Sequence, residues 1–128
     1  MQSRFVRRVA RSSPVLPGLA LLLVFLTGAA PPALARQAPI FELIIKDHRY
    51  EPAELTVPAG KSLILRVRNL DATAEEFESS ALKIEKVIAG RGEGTIRLRA
   101  LAPGRYDFVG EYHSATAKGT LVVEEARP

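Results

Sequence analysis

Glu76 and Glu78 are separated by Phe77, and Glu111 and His113 by Tyr112. In an extended chain, residues two apart leave the same face of the backbone. Each pair then presents two metal-ligating groups together, with its aromatic turned the other way. Brought to one end of a fold, the two pairs offer three carboxylates and one imidazole. An oxygen-rich set with one nitrogen suits Fe(III), Fe(II), Mn(II), Zn(II) or Cu(II), and disfavours Cu(I), which wants soft sulfur. Glu75 and Asp71 crowd more negative charge nearby, which a cation would relieve. Ligation needs neutral imidazole and ionised carboxylate, so binding should weaken as pH falls. The competing account is ordinary. Glutamates alternating with apolar residues form the solvated face of a strand, and a single loop histidine is an exposed polar residue. His48, at the end of the first apolar run, has the weaker claim of a peripheral ligand beside that of a solvated turn residue.

Catalytic readings find little support. His113 and Ser114 are adjacent, and neighbouring side chains in an extended chain diverge, so they make no nucleophile–base pair. The chain carries no Gly-x-Ser-x-Gly, His-Glu-x-x-His, phosphate-loop or dinucleotide motif. It has no cysteine, which removes disulfides, thiolate metal sites and cysteine nucleophiles together. The expectation is a binding protein, not an enzyme.

With 128 residues the chain supports one domain. Its 18 Lys and Arg against 14 Asp and Glu give a net charge of +4, which at first invites a nucleic-acid partner. The surplus is local: Arg4, Arg7, Arg8 and Arg11 precede the first acid, Glu42. Without those four, fourteen bases face fourteen acids, and the balance gives no basic surface for DNA or RNA.

Residues 1–35 read as a secretory signal peptide. The arginines form its basic start, 19–26 its apolar run, and Ala33-Leu34-Ala35 its small-residue cleavage site. A spanning helix needs ~20 apolar residues, whereas this run is bounded by Pro17-Gly18 and Thr27-Gly28. The expected location is the periplasm.

The rest of the chain alternates with strand period. Phe41, Leu43 and Ile45 share one face, as do Leu63, Leu65 and Val67, and the pattern recurs through Ile96, Tyr106, Phe108, Leu121 and Val123. Turn chemistry separates the runs at Pro58–Gly60, Asn69–Asp71, Gly90–Gly92, Pro103-Gly104 and Lys118-Gly119. Residues 80–88 suit either period and are read as a short strand. Seven or eight short strands predict an antiparallel sandwich or barrel over 40–125.

The segments 50–60, 101–108 and 118–124, in that order and spacing, resemble the successive strands and turns of a cupredoxin. The resemblance implies an all-β, antiparallel Greek-key β-sandwich. Blue-copper members carry Cys-x-x-His and then a Met after the Tyr-x-Phe strand. Here that stretch is Gly110-Glu111-Tyr112-His113, with Gly110 at the thiolate's place and no later methionine. Blue-copper electron transfer is therefore excluded by composition. The chain is most similar to the cupredoxin-like domains of periplasmic Efe-type iron-uptake proteins, in their stand-alone version. Glu76-Phe77-Glu78 and Glu111-Tyr112-His113 match their two motifs, whereas their cysteines are absent here, near Tyr50 and Gly110. That resemblance implies a metal ion, iron or copper, held by Glu76, Glu78, Glu111 and His113 and delivered for uptake. It also implies an inner-membrane metal permease as partner, with a homodimer left open. The alternative from another class is a metal-free β-sandwich that binds a partner protein through its loops.

The exported form should begin at or near Arg36. Intact-mass measurement of the secreted fraction checks this, and a product retaining Met1 would contradict it.

Overall fold

A computed structural model of the chain describes residues 36–127 and, upstream of them, only 12–15, 18 and 28. The expected export signal, with its apolar run 19–26 and cleavage site 33–35, lies outside the described residues. Nine strands follow in order: β1 (Ile40–Lys46), β2 (Arg49–Glu51), β3 (Glu54–Pro58), β4 (Leu63–Asn69), β5 (Glu75–Ser79), β6 (Ile84–Ile88), β7 (Glu93–Leu98), β8 (Gly104–Gly110) and β9 (Lys118–Glu124). A single turn of 3₁₀ helix, η1 (Glu111–His113), sits between β8 and β9.

The strands form two sheets, ordered β2-β1-β4-β7 and β3-β9-β8-β5-β6. The all-β cupredoxin-like sandwich is as expected, but its sheets are mixed rather than wholly antiparallel. β1 pairs β4 in parallel, and β3 pairs β9 in parallel, while the other neighbours are antiparallel. The cause is topological. After the β1–β2 hairpin the chain crosses to the other sheet as β3 and returns as β4, so β4 enters beside β1 in the same direction. A parallel pair needs such a crossover, and here a strand of the opposite sheet supplies it.

Alternation reads directly into burial. Leu43 and Ile45 of β1, Leu63, Leu65 and Val67 of β4, Ile96 and Leu98 of β7, and Leu121 and Val123 of β9 are all buried between the sheets. Segment 80–88 resolves into a turn followed by β6, with Leu82 and Ile88 in the core. Three aromatics fill the middle. Phe77 and Phe108 stack with centroids 5.0 Å apart, and Tyr50 meets Phe108 edge-on at 4.9 Å. Such geometries add about 0.5–1.5 kcal/mol to the value of the area they bury.

The β1–β2 hairpin turns on two residues, Asp47 and His48, with Lys46 opposite Arg49. Both have positive φ, 52° and 54°, the pattern of a type I′ turn whose twist matches the strands it joins. Asp and His are among the few non-glycine residues enriched in this conformation. The turn therefore fits its sequence, and it carries His48 to the loop end of the sandwich.

Truncating Phe108 to Ala should cost about 3–5 kcal/mol of stability. Tyr112 is half exposed, and the same change there should cost about 1 kcal/mol or less. Denaturant melts of the two variants check the placement, and equal midpoints would refute it.

Candidate metal centre

β5 holds the decisive residue. Its burial alternates so that Glu75, Phe77 and Ser79 face inward while Glu76 and Glu78 face outward. Glu75 is 1% exposed, and a carboxylate so placed is costly unless fully hydrogen-bonded. Oε1 accepts from the backbone N–H of Glu76 and of Tyr112, each at 3.0 Å. Oε2 lies 2.6 Å from His113 Nδ1. Burial and the charge of Glu75 push the Tyr50 phenol's pKa well above its ordinary value.

His113 and Tyr112 reach Glu75 because the chain leaves β8 as a 3₁₀ turn. The turn that follows it is closed by the Thr116 and Ala117 N–H groups, which donate to His113 O at 3.1 and 2.8 Å. His48 arrives from the other sheet. Its imidazole stacks on that of His113, with centroids 3.6 Å apart and planes 12° from parallel. Asp71 anchors its turn: the carboxylate accepts from Asp47 N at 2.8 Å and His48 N at 3.0 Å. Its Oδ2 also lies 3.5 Å from His48 Nδ1. These hydrogen bonds, that from His48 N foremost, hold the Asp71 carboxyl below its usual pKa. Thr116 Oγ1 donates to His48 O at 2.7 Å, fastening the hairpin from the other side.

Asp71 is itself held by Asn69, buried at the end of β4. Asn69 Oδ1 accepts from Asp71 N at 3.0 Å, and its Nδ2 donates to Thr73 O at 2.9 Å. Gly90 lets the facing loop close on this turn, since a Cβ there would meet Ala72 O at 2.0 Å.

His48, Glu75 and His113 each offer a ligand atom, and these atoms lie within 4.8 Å of one another. Bonds of 2.0–2.2 Å to an ion set a trans span of about 4.0–4.4 Å, which small rotations of the two half-exposed imidazoles would reach. Two nitrogens and a carboxylate oxygen match the donor preferences of Zn(II), Fe(II) and Cu(II).

Of the residues singled out by spacing, the structure brings His113 into this cluster. Glu76 and Glu78 stay on the outer face of β5. Glu76 hydrogen-bonds the Tyr112 phenol closely enough to raise its pKa, and Glu78 accepts from Ser80 Oγ at 3.2 Å. Glu111 is exposed. The expectation that Glu111 and His113 share a face assumed an extended chain and is corrected by η1: in a 3₁₀ turn, residues two apart point ~240° apart. Glu75, noted in the sequence only as nearby negative charge, was not counted as a ligand, although a core-facing Phe77 implies a core-facing residue two before it.

The comparisons agree with the fold. Residues 18–123 match the family model described as a cupredoxin-like domain. An uncharacterized protein of Rickettsia prowazekii (strain Madrid E) is 37% identical over 84 residues, 66% of this chain and 67% of that protein. The metal-binding domain, with Cu(I), of the Cu(I)-exporting P-type ATPase CopA of Streptococcus pneumoniae superposes with a TM-score of 0.62. It is 19% identical and covers 73% of this chain and 92% of that one. Auracyanin A, a blue copper protein of Chloroflexus aurantiacus, gives a TM-score of 0.59 at 19% identity, covering 69% of this chain and all of the other.

A blue-copper centre does not fit these residues. The chain has no cysteine, and the thiolate is the one ligand such a centre needs for its colour and potential.

Asp71→Ala should cost roughly 1–2 kcal/mol by freeing two turn N–H groups. Because the native carboxyl titrates below its unfolded value of about 3.9, this contribution is complete above that pH and lost as pH falls through the lower native value. Melts of wild type and variant should therefore differ at pH 7 and converge only as pH falls through the lower native value. A difference that persists in strong acid would count against the carboxylate's role.

Proposed function

The chain belongs to the cupredoxin-like domain family, and from that premise we propose that it is a metal-binding domain whose cargo is one ion held by His48, Glu75 and His113. One observation carries the reading: three separate segments, from both sheets, converge their ligand atoms within 4.8 Å at one end of the sandwich. The cargo is iron or copper in an oxygen- and nitrogen-ligated state. The domain works in the periplasm, captures the ion and hands it to an inner-membrane permease. The export signal expected from the sequence supports the location, and the resemblance to Efe-type domains supports the uptake role. The copper proteins among its structural neighbours support the use of this fold for metal.

Each residue has a distinct part. Glu75 supplies the negative charge and is fixed by two backbone donors. His113 lies against it, and an entering cation competes with the proton shared between them, so acid should weaken binding. His48 is carried on a turn held by Asp71 and Thr116. Exposure of both imidazoles leaves a side open for transfer. No chemical transformation is required, so the function is binding and delivery rather than catalysis.

Saturating Fe(III), Fe(II) or Cu(II) should raise the melting temperature of the wild type. Ligand at a hundredfold its Kd stabilises by about 2.7 kcal/mol. Glu75→Gln and His113→Ala should each remove most of that gain, whereas Glu76→Gln, Glu78→Gln and Glu111→Gln should keep it. The reading fails if wild type shows no metal-dependent shift or if the Glu75 and His113 variants respond as it does. A metal-free protein-interaction module would give that flat response.

A further inference from the structure

Gly110 is a glycine for want of space, not for its backbone. Its φ of −90° and ψ of 105° are open to any residue. A Cβ on it, however, would fall 2.6 Å from Glu75 Cδ, 2.9 Å from Glu75 Oε1 and 2.7 Å from Ala117 Cβ. A side chain at position 110 would thus run into both the buried carboxylate of Glu75 and Ala117. That carboxylate is not a transient visitor, because Glu76 N, Tyr112 N and His113 Nδ1 all hold it there. Gly110 also stands at the position from which blue-copper relatives extend a thiolate.

We propose that Glu75 and Gly110 are a matched pair in which a carboxylate from β5 takes the room of a thiolate from β8, making the site selective for Cu(II) and other borderline divalent ions and closed to Cu(I). This rests on the metal-binding reading and deepens it. The selectivity follows from the donors. Two imidazoles and a carboxylate satisfy a borderline ion, whereas Cu(I) prefers the soft sulfur that this chain does not contain. Gly110 acts through Glu75, as a positioning residue: any larger residue there must displace the carboxylate or Ala117. The Cu(I)-bound domain among the structural neighbours shares the fold at 19% identity, so the difference in ion class is set by individual ligands, not by the sandwich.

Three measurements test this. The first is competition of the wild-type protein against a Cu(II) chelator in air and a Cu(I)-selective chelator under anaerobic reduction. Cu(II) should be retained and Cu(I) surrendered. If Cu(I) is held as firmly as Cu(II), the selectivity is overturned while the metal-binding reading stands. If neither ion is held, both fall. The second is a double-mutant cycle on the metal-free protein with Gly110→Ala, Glu75→Ala and the pair. Gly110→Ala should lower the melting temperature markedly beside Glu75 and clearly less in the Glu75→Ala background, where only Ala117 obstructs the new methyl. Additive losses would overturn the matched pair, whatever the metal result. A third variant gives a spectroscopic signature: Glu75→Ala/Gly110→Cys should gain an intense visible band with Cu(II) that Gly110→Cys alone, its thiol obstructed by Glu75, lacks. A band of equal strength in both variants would count against the proposal.

Discussion

A single buried carboxylate organises the loop end of this sandwich. Moving an ion from water into a protein interior costs several kcal/mol even after relaxation, and Glu75 is almost wholly enclosed. Its enclosure is tolerable because every oxygen has a partner: two backbone N–H groups on Oε1 and an imidazole on Oε2. Those partners impose conditions on the chain around them. Tyr112 N can point at Glu75 only if the backbone bends after β8, which is what the turn at Glu111–His113 does. Gly110 and Ala117 must be small to let the carboxylate in. The result is a charge bound by the fold rather than by solvent, and a histidine aligned against it.

The β-sandwich serves this arrangement by delivering three segments to one place. β5 brings Glu75 from the five-stranded sheet, and the β8–β9 connection brings His113 beside it. The β1–β2 hairpin brings His48 across from the four-stranded sheet. Loops are free to vary, so their convergence needs fasteners, and the structure supplies them in a chain. Asn69 fixes Asp71, Asp71 fixes the turn of Asp47 and His48, and Thr116 ties that turn to the stretch following η1. Each link is a hydrogen bond of modest net value, about 0.5–1.5 kcal/mol. Together they place an imidazole from one sheet over an imidazole from the other. The aromatic core of Tyr50, Phe77 and Phe108 lies between the same sheets and keeps them in register beneath the site.

Much of the fold was legible because strand alternation is a strictly local signal. Leu43, Leu65, Phe108 and Leu121 are buried where their parity put them. The parallel pairing of β1 with β4 was not, since strand direction depends on a crossover through another sheet and leaves no mark within either strand. At the site the same parity rule held the answer and was applied to the wrong pair. Glu76 and Glu78 attracted attention as a repeated spacing, yet Phe77 between them is a core residue, and its face belongs to Glu75. The relation of Glu111 to His113 failed differently. Three residues following a strand keep no alternation once the chain turns, and the bond that ties this turn in place, from Tyr112 N, goes to distant Glu75. His48 was visible only as a turn residue, because its stacking on His113 joins positions 65 residues apart in sequence.

The three candidate ligands also differ in how firmly they are held, and the difference has a direction. Glu75 is 1% exposed, the His113 side chain 29%, and the His48 side chain 43%. The site therefore has a floor, a wall and a rim. The floor is charged and rigid, so its electrostatic attraction for a cation is present before any ion arrives and needs no reorganisation. The rim sits on a two-residue turn held by the largely buried Asp71 and the exposed Thr116. An ion entering past His48 would gain its carboxylate last and on leaving lose it first, with the imidazoles bridging the passage to solvent. A site closed on all sides would bind more tightly and release more slowly, since affinity among related sites is set mostly by the rate of leaving. An open rim over a fixed charge would let binding and release both proceed, which is what the proposed carrier role needs.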